Sequence, residues 1–156
     1  MSKMIAIGGK EYEIEFTVEA SLYNECTEKV AGLMIEISEA QEKENIRSVI
    51  SSMSDIPQTT LTMFYAGLLE HHGEDGDKSV LSKSDAKKLI KQYFKEHHDE
   101  ESGNFYGFME MLIEQMGEDG FFKQVGLIQG AEQAEKTLKA PQDHKKKQST
   151  AKVTGK

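Results

Sequence analysis

Two adjacent glycines near the start of the chain, Gly8-Gly9, constrain its fold more than any other feature. The apolar run "MIAI" precedes them, and in the following "KEYEIEF" apolar residues alternate with charged ones. Gly-Gly accepts the positive φ angles of a tight turn, and a period of two marks a strand with one buried face. We therefore predict a β-hairpin over residues 3–16. A lone hairpin is marginal in water, so its apolar face must pack on helices or pair with another chain.

Helical periodicity replaces this alternation after the hairpin, since apolar residues recur there every three or four positions. The first predicted helix begins at Thr17, ends near Gly32 and carries the stripe Val18, Leu22, Cys26 and Val30. Four more are predicted: one over 39–53, one starting at Pro57, one capped by Ser82 and one over 105–116. "GEDGFFKQVGLI" is predicted to be a turn followed by a short helix or an extended segment. The fold class expected is α+β, mainly α, with about five amphipathic helices.

Composition changes towards the end of the chain. Residues 139–156 contain six Lys and one Asp, a net +5 in a chain of net charge −8, so the preceding residues carry −13. Such a polar, Lys-rich segment buries too little apolar surface to offset the entropy of ordering. We predict a hairpin-plus-helices domain over residues 1–130 and a disordered basic tail over residues 131–156.

The acidic body excludes several classes of partner. Negative charge repels nucleic acid and anionic membranes, so we expect neither as a main partner. No apolar run reaches the about 18 residues of a membrane span. Cys26 is the only cysteine, cannot form an internal disulfide, and lies on an apolar helical stripe where a thiol usually packs. These features predict a soluble protein of a reducing compartment.

Two histidine doublets, His71-His72 and His97-His98, stand among carboxylates where helical stripes end. Adjacent helical residues diverge by ~100°, so a doublet cannot chelate a metal as histidines at i and i+4 do. The segment from Asp75 begins like a calcium loop, but Val80 and Ala86 replace the required Gly and Glu. We predict helix ends, no metal and no cofactor. Because no catalytic motif is present, no catalytic residue is assigned and the chain is not expected to be an enzyme.

Adaptable and aromatic side chains are the candidates for partner binding. Met adapts to irregular partners and so suits a surface that binds variable chains, although Met on an apolar face is more often an ordinary core residue. Two adjacent aromatic side chains rarely both face one core. One of the neighbouring phenylalanines Phe121 and Phe122 can therefore dock a neighbouring subunit, although a short connecting helix also explains the pair. The candidate partner-binding residues are Phe64, Met109, Met116, Phe121 and Phe122.

Three phrases in this sequence resemble a protein family. "GGKEYEIEFTVEASLYNE" is similar to the opening of tail assembly chaperones of long, non-contractile-tailed bacteriophages. "TTLTMFYAGLLEHH", especially "YAGLL", is similar to their middle helix, and "LSKSDAKKLIKQYF" resembles the entry to the next helix. The resemblance spans about residues 5–125, and a basic C-terminus fits it too.

The resemblance implies a non-enzymatic protein of the host cytoplasm. Chaperones of this family coat the helical tape measure protein and promote assembly of the tail tube around it. Self-association is also expected, with the hairpin edge or segment 121–128 at the contact. The competing interpretation is a small acidic helical regulator that binds a folded protein partner.

Members of this family are often made in two lengths by ribosomal frameshifting, and the longer form is thought to recruit the tail tube protein. Slippage requires codons that can re-pair one base back, as A-rich lysine codons can. The candidate frameshift position is the run Lys145, Lys146 and Lys147. A solubilising basic tail explains the same lysines.

Overall fold

A computed structural model of the protein describes residues 1–43 and 46–126, with side chains for 1–33 and 55–126. The elements in chain order are β1 (Lys3–Ile7), β2 (Lys10–Ile14), α1 (Val18–Leu22), α2 (Asn24–Lys43), α3 (Ile46–His72), α4 (Lys83–Glu96), α5 (Phe105–Glu118) and α6 (Phe121–Gln124). This architecture confirms the predicted mainly α fold with an N-terminal hairpin. Residues Met1–Val125 form one compact unit. The domain boundary predicted at residue 130 and the predicted tail lie outside the described residues.

The hairpin forms where the glycines predict it. Strands β1 and β2 pair antiparallel with Ile5 opposite Tyr12, and Gly8 and Gly9 adopt φ angles of 59° and 82°. Both angles lie in the left-handed region, which a two-residue hairpin turn of this type requires and glycine adopts without strain. The inward side chains of both strands are buried, and the hairpin packs on α3 and α4. Its apolar face is therefore covered by helices of the same chain.

The single helix predicted over residues 17–32 is wrong, because the chain leaves the helical conformation at Tyr23 (ψ 91°) and starts again as α2. Thr17 does cap α1, since its side chain accepts a hydrogen bond from the Glu19 N–H. The break changes which face of the helix meets the core, so Ala20 is buried while Val18 and Leu22 point to solvent. The apolar spacing of residues 17–32 as a whole did not reveal that the buried face changes between α1 and α2.

The predicted helix over 39–53 and the predicted helix start at Pro57 are also wrong. Helix α2 extends to Lys43, and α3 runs continuously from Ile46 to His72 with Pro57 inside it. Proline has no main-chain N–H, so Pro57 removes one hydrogen bond of the helix and leaves the others in place. Ile56 and Met63 are both buried on α3, so packing on either side of Pro57 holds one helix together.

The later helices follow the predictions closely. Ser82 caps α4 by accepting from the Asp85 N–H at 3.2 Å, while the Asp85 carboxylate accepts from the Leu81 N–H at 3.0 Å. Ser82 and Asp85 thus form a capping box in which the Asp85 carboxylate accepts from the N–H of Leu81, one residue before the cap, instead of from that of Ser82. Helix α5 matches the prediction over 105–116, and α6 is a short helix of four residues.

Helix α3 lies at the centre of the core and contacts α1, α2, α4, α5 and β2. On it, Phe64 meets the ring of Phe108 edge-on, with centroids 5.1 Å apart. Phe108 also contacts the Tyr93 ring of α4 at 5.0 Å. These edge-to-face contacts fix the spacing of α3, α4 and α5. No helix among the described residues is both long and apolar enough to cross a membrane.

Candidate functional site

The structure places most of the predicted partner-binding residues inside the core. Four of them have at most 3% of their surface exposed: Phe64, Met109, Met116 and Phe121. Phe121 packs against the Phe16 ring with centroids 5.7 Å apart, which ties α6 to the segment after the hairpin. Phe122 is half-buried. In this conformation a partner can therefore reach Phe122 alone among the five. The frameshift candidates Lys145, Lys146 and Lys147 lie outside the described residues.

The cysteine has the packing role predicted for it. Cys26 is fully buried on α2, and burial raises the pKa of its thiol to about 12. A thiol with so high a pKa stays protonated at neutral pH and is a poor nucleophile.

Helix α1 presents an apolar surface that the sequence had assigned to the core. Val18 and Leu22 are 56% and 69% exposed and stand one helical turn apart, and we call them the α1 apolar pair. Helix α1 contacts α6, which carries the half-buried Phe122. The other large exposed apolar side chains lie away from α1, on β1, on α5 or outside the helices and strands: Met4, Tyr106, Met1 and Leu81. The α1 apolar pair is therefore the best-placed apolar contact on the described surface.

A wide groove of about 730 Å³ runs beside α5. Lys3 and Met111 line it together with five carboxylates: Asp99, Glu100, Glu101, Glu110 and Glu114. We call it the acidic groove. Focused negative potential attracts cationic groups and repels nucleic acid.

The first histidine doublet ends α3, as predicted, and His72 closes the outer edge of β2. Its Nε2 accepts a hydrogen bond from the Glu13 N–H at 2.8 Å, and its Nδ1 lies 3.0 Å from Asp77 Oδ2. A ring that accepts at Nε2 carries its proton at Nδ1, so His72 is the neutral tautomer that donates to Asp77. Hydrogen bonds from Ser79 to Asp77 hold the pKa of that carboxyl well below its ordinary range.

The second doublet follows α4 and meets the other edge of the hairpin. His97 Nε2 lies 3.3 Å from the carbonyl oxygen of Ala6 on β1, and its ring stacks on Tyr93. The hydrogen bond with the Glu100 carboxylate raises the pKa of His97. Beside it, the Glu96 carboxylate accepts from the Gly8 N–H at 3.0 Å. Both doublets are helix ends, and the structure adds that each supplies one histidine to one hairpin edge.

A third histidine contact joins the hairpin to α3 on the solvent side. His71 Nε2 lies 2.7 Å from Glu15 Oε1, and His71 Nδ1 lies 3.5 Å from Glu13 Oε2. All three side chains are about one-third exposed. Their ligand atoms lie within 4.8 Å of one another. Sequence reasoning missed this cluster because the strand and the helix end are far apart in the chain.

The glycine of "YAGLL" explains how the hairpin approaches α3 so closely. A Cβ on Gly67 would lie 2.7 Å from Ile14 Cγ2 and 3.0 Å from Phe16 Cζ. The Gly67 carbonyl also accepts a hydrogen bond from the Glu15 N–H at 2.9 Å. The hairpin and the "YAGLL" segment of α3 therefore meet at one point of the fold. No family model matches the sequence, and neither the curated proteins nor the solved structures contain a match to it.

Proposed function

We propose that this chain is a non-enzymatic tail assembly chaperone that coats a tape measure protein and promotes assembly of the tail tube around it. The observation that carries the proposal is the contact at Gly67, where the hairpin phrase and the "YAGLL" phrase interlock. A third similar phrase supplies the Ser82 cap of α4. The resembling residues thus include those that join the hairpin to α3 and that cap α4.

The surface of the described residues suits such a function. A tape measure protein exposes apolar helical stripes until the tube encloses it. The α1 apolar pair offers Val18 and Leu22 to a stripe of this kind, and surrounding acidity keeps a coated complex soluble. A single contact made by two apolar side chains is weak. Many copies on one long partner gain by avidity, so weak contacts are sufficient.

Self-association between copies is part of the proposal. Met4 pairs with Glu13, whose N–H points away from β1 to His72, so Met4 occupies a non-hydrogen-bonded position and directs its own N–H and C=O outwards. His97 covers the Ala6 carbonyl further along β1. The open part of the edge is therefore its beginning, around Met4, and we propose that copies meet there. Recruitment of the tail tube protein by a longer form remains a separate proposal, decided by the nucleotides at codons 145–147.

The binding proposal is tested by co-expression with a tape measure protein followed by affinity capture. Val18→Asp combined with Leu22→Asp is expected to lower capture at least tenfold while the circular dichroism spectrum stays unchanged, because both side chains are already exposed. Leu81→Asp is the control, since Leu81 is 53% exposed in the segment between α3 and α4. Equal capture by the α1 double variant and the parent would contradict the role of α1. Failure of the parent to bind any tape measure protein would contradict the function itself.

The acidic groove favours a second candidate function, a small acidic regulator that binds the basic surface of a folded protein. Identification of captured partners separates the two. A tape measure protein is long and helical, and its capture depends on the α1 apolar pair. A regulator's target is folded and basic, and its capture falls with salt and with Glu110→Lys, which reverses a charge in the groove.

A further inference from the structure

We propose that His71, Glu13 and Glu15 bind a divalent transition metal of the zinc class. One imidazole nitrogen and two carboxylate oxygens lie within 4.8 Å of one another on one face of the molecule. Zinc takes nitrogen and oxygen ligands at about 2.0–2.2 Å, which places tetrahedral ligands roughly 3.3 Å apart. The Glu15 oxygen lies 2.7 Å from His71 Nε2 and the Glu13 oxygen lies 3.5 Å from His71 Nδ1, so metal binding requires one carboxylate to swing to the ring nitrogen that the other already faces.

The backbone that carries these ligands is already held in place. The Glu15 N–H donates to the Gly67 carbonyl at 2.9 Å, and the Glu13 N–H donates to His72 Nε2 at 2.8 Å. Both bonds anchor the glutamates to α3, the helix that carries His71. Ser2 also donates to Glu13 Oε1 and orients that carboxylate. Ligands held by such outer contacts lose less freedom on binding a metal.

Two carboxylates face the two ring nitrogens of His71. A neutral imidazole has one N–H and can donate to only one of them, whereas an imidazolium can donate to both, so a metal competes with a proton for this place. A divalent metal takes one nitrogen as a ligand and neutralises both carboxylates at once. Imidazole favours zinc, nickel or copper over magnesium and calcium, and the partial exposure leaves the remaining coordination positions to water.

The geometrical objection to histidine doublets does not apply to this cluster. Adjacent residues on a helix diverge, and here His72 uses both ring nitrogens on Glu13 and Asp77 inside the fold. His71 is left alone on the solvent side, and its partners come from strand β2 and the residue after it. A metal at this place joins the hairpin to the end of α3 and so stabilises the contact between them.

Isothermal titration of the full-length chain with ZnCl2 tests the proposal. We expect saturable binding that His71→Asn abolishes and that Glu15→Gln weakens by more than the about tenfold lost when only a supporting partner of a ligand is removed. His98→Asn is the matched control, because His98 is 70% exposed beside Asp99 and belongs to the other doublet. MgCl2 in place of ZnCl2 should give no His71-dependent signal.

Two results would overturn the proposal: no saturable zinc binding by the parent, or equal affinity in the parent and the His71→Asn variant. Circular dichroism of each variant without metal establishes that the fold is kept. A long-range imidazole ¹⁵N–¹H spectrum provides an independent readout. Zinc should shift the ring nitrogens of His71 and leave those of His98 unchanged, and the reverse pattern places the metal elsewhere.

Discussion

A histidine at a helix end contacts each edge of the hairpin, but the two rings lie in opposite surroundings. At the β2 edge, His72 is buried with 6% of its surface exposed and acts as a neutral acceptor for a main-chain N–H. At the β1 edge, the His97 side chain is 22% exposed and interacts with the largely exposed Glu100 carboxylate. Both follow the same sequence pattern, a doublet at a helix end. Burial, rather than the motif, decides what each ring does.

The difference has an energetic consequence. An unpaired buried N–H costs about 1–3 kcal/mol, whereas an exposed ion pair contributes about 0.2–1 kcal/mol. The β2 edge therefore depends strongly on one histidine. The β1 edge shares its contacts between His97 and Glu96, and water can replace part of them.

Replacing His72 should have the largest effect. His72→Ala leaves the Glu13 N–H without its partner and removes a ring that packs 5.1 Å from Tyr12. We expect the free energy of unfolding to fall by about 3 kcal/mol, the sum of an unsatisfied donor and a small cavity. Urea denaturation measures it, with the exposed His98→Ala as control. A loss no larger than that of His97→Ala would remove the contrast between the edges.

Replacing Gly67 by alanine tests how tightly the hairpin packs against α3. Gly67→Ala places a Cβ against Ile14 and Phe16 and should lower the free energy of unfolding by about 1–2 kcal/mol in spite of a better helix propensity. Gly32→Ala is the matched control, because a Cβ at Gly32 meets nothing within 4 Å. That variant should gain up to about 1 kcal/mol in thermal or urea unfolding. Equal gains in both would show that the hairpin can move away from α3 at no cost.

Acid should weaken the β2 edge through Asp77. Because its folded pKa lies below the ordinary 3.8, Asp77 stabilises the fold above that pH, and the contribution is lost as pH falls through the folded pKa. Asp77→Asn should therefore flatten the acid limb of a plot of stability against pH between 5 and 2. Superimposable acid limbs in parent and variant would mean that other carboxylates dominate there.

The β1 edge should show the smallest effect and the opposite pH dependence. The raised pKa of His97 means that its contribution is complete below the ordinary 6.5 and is lost as pH rises through the folded value. The stability difference between the parent and His97→Gln should be about 0.5 kcal/mol at pH 6 and close to zero at pH 9. A difference that grows with pH would show that the neutral ring is the stabilising form.

Local chemistry made several features of this fold predictable from the chain alone. Gly8-Gly9 with strict alternation determines a hairpin, Thr17 and Ser82 mark helix starts, and the apolar spacing over 105–116 determines α5. Each of these depends on residues within a few positions of one another. The histidine doublets were likewise identified as helix ends on local grounds.

Tertiary packing decided the rest. Continuity through Pro57, the break at Tyr23 and the exposure of Val18 and Leu22 depend on which face of each helix meets its neighbours. The candidate binding surface differs from the predicted one for the same reason. Residues chosen for their apolar character proved to be core, since periodicity identifies an apolar face without telling whether this chain or a partner covers it.

The contacts that distinguish His71, His72 and His97 join positions more than fifty residues apart to the hairpin. A sequence determines which groups each residue can offer as donor, acceptor or ligand. The folded chain alone brings the strand and the helix end within hydrogen-bonding distance, and the partner that each ring nitrogen meets then selects which nitrogen carries a proton.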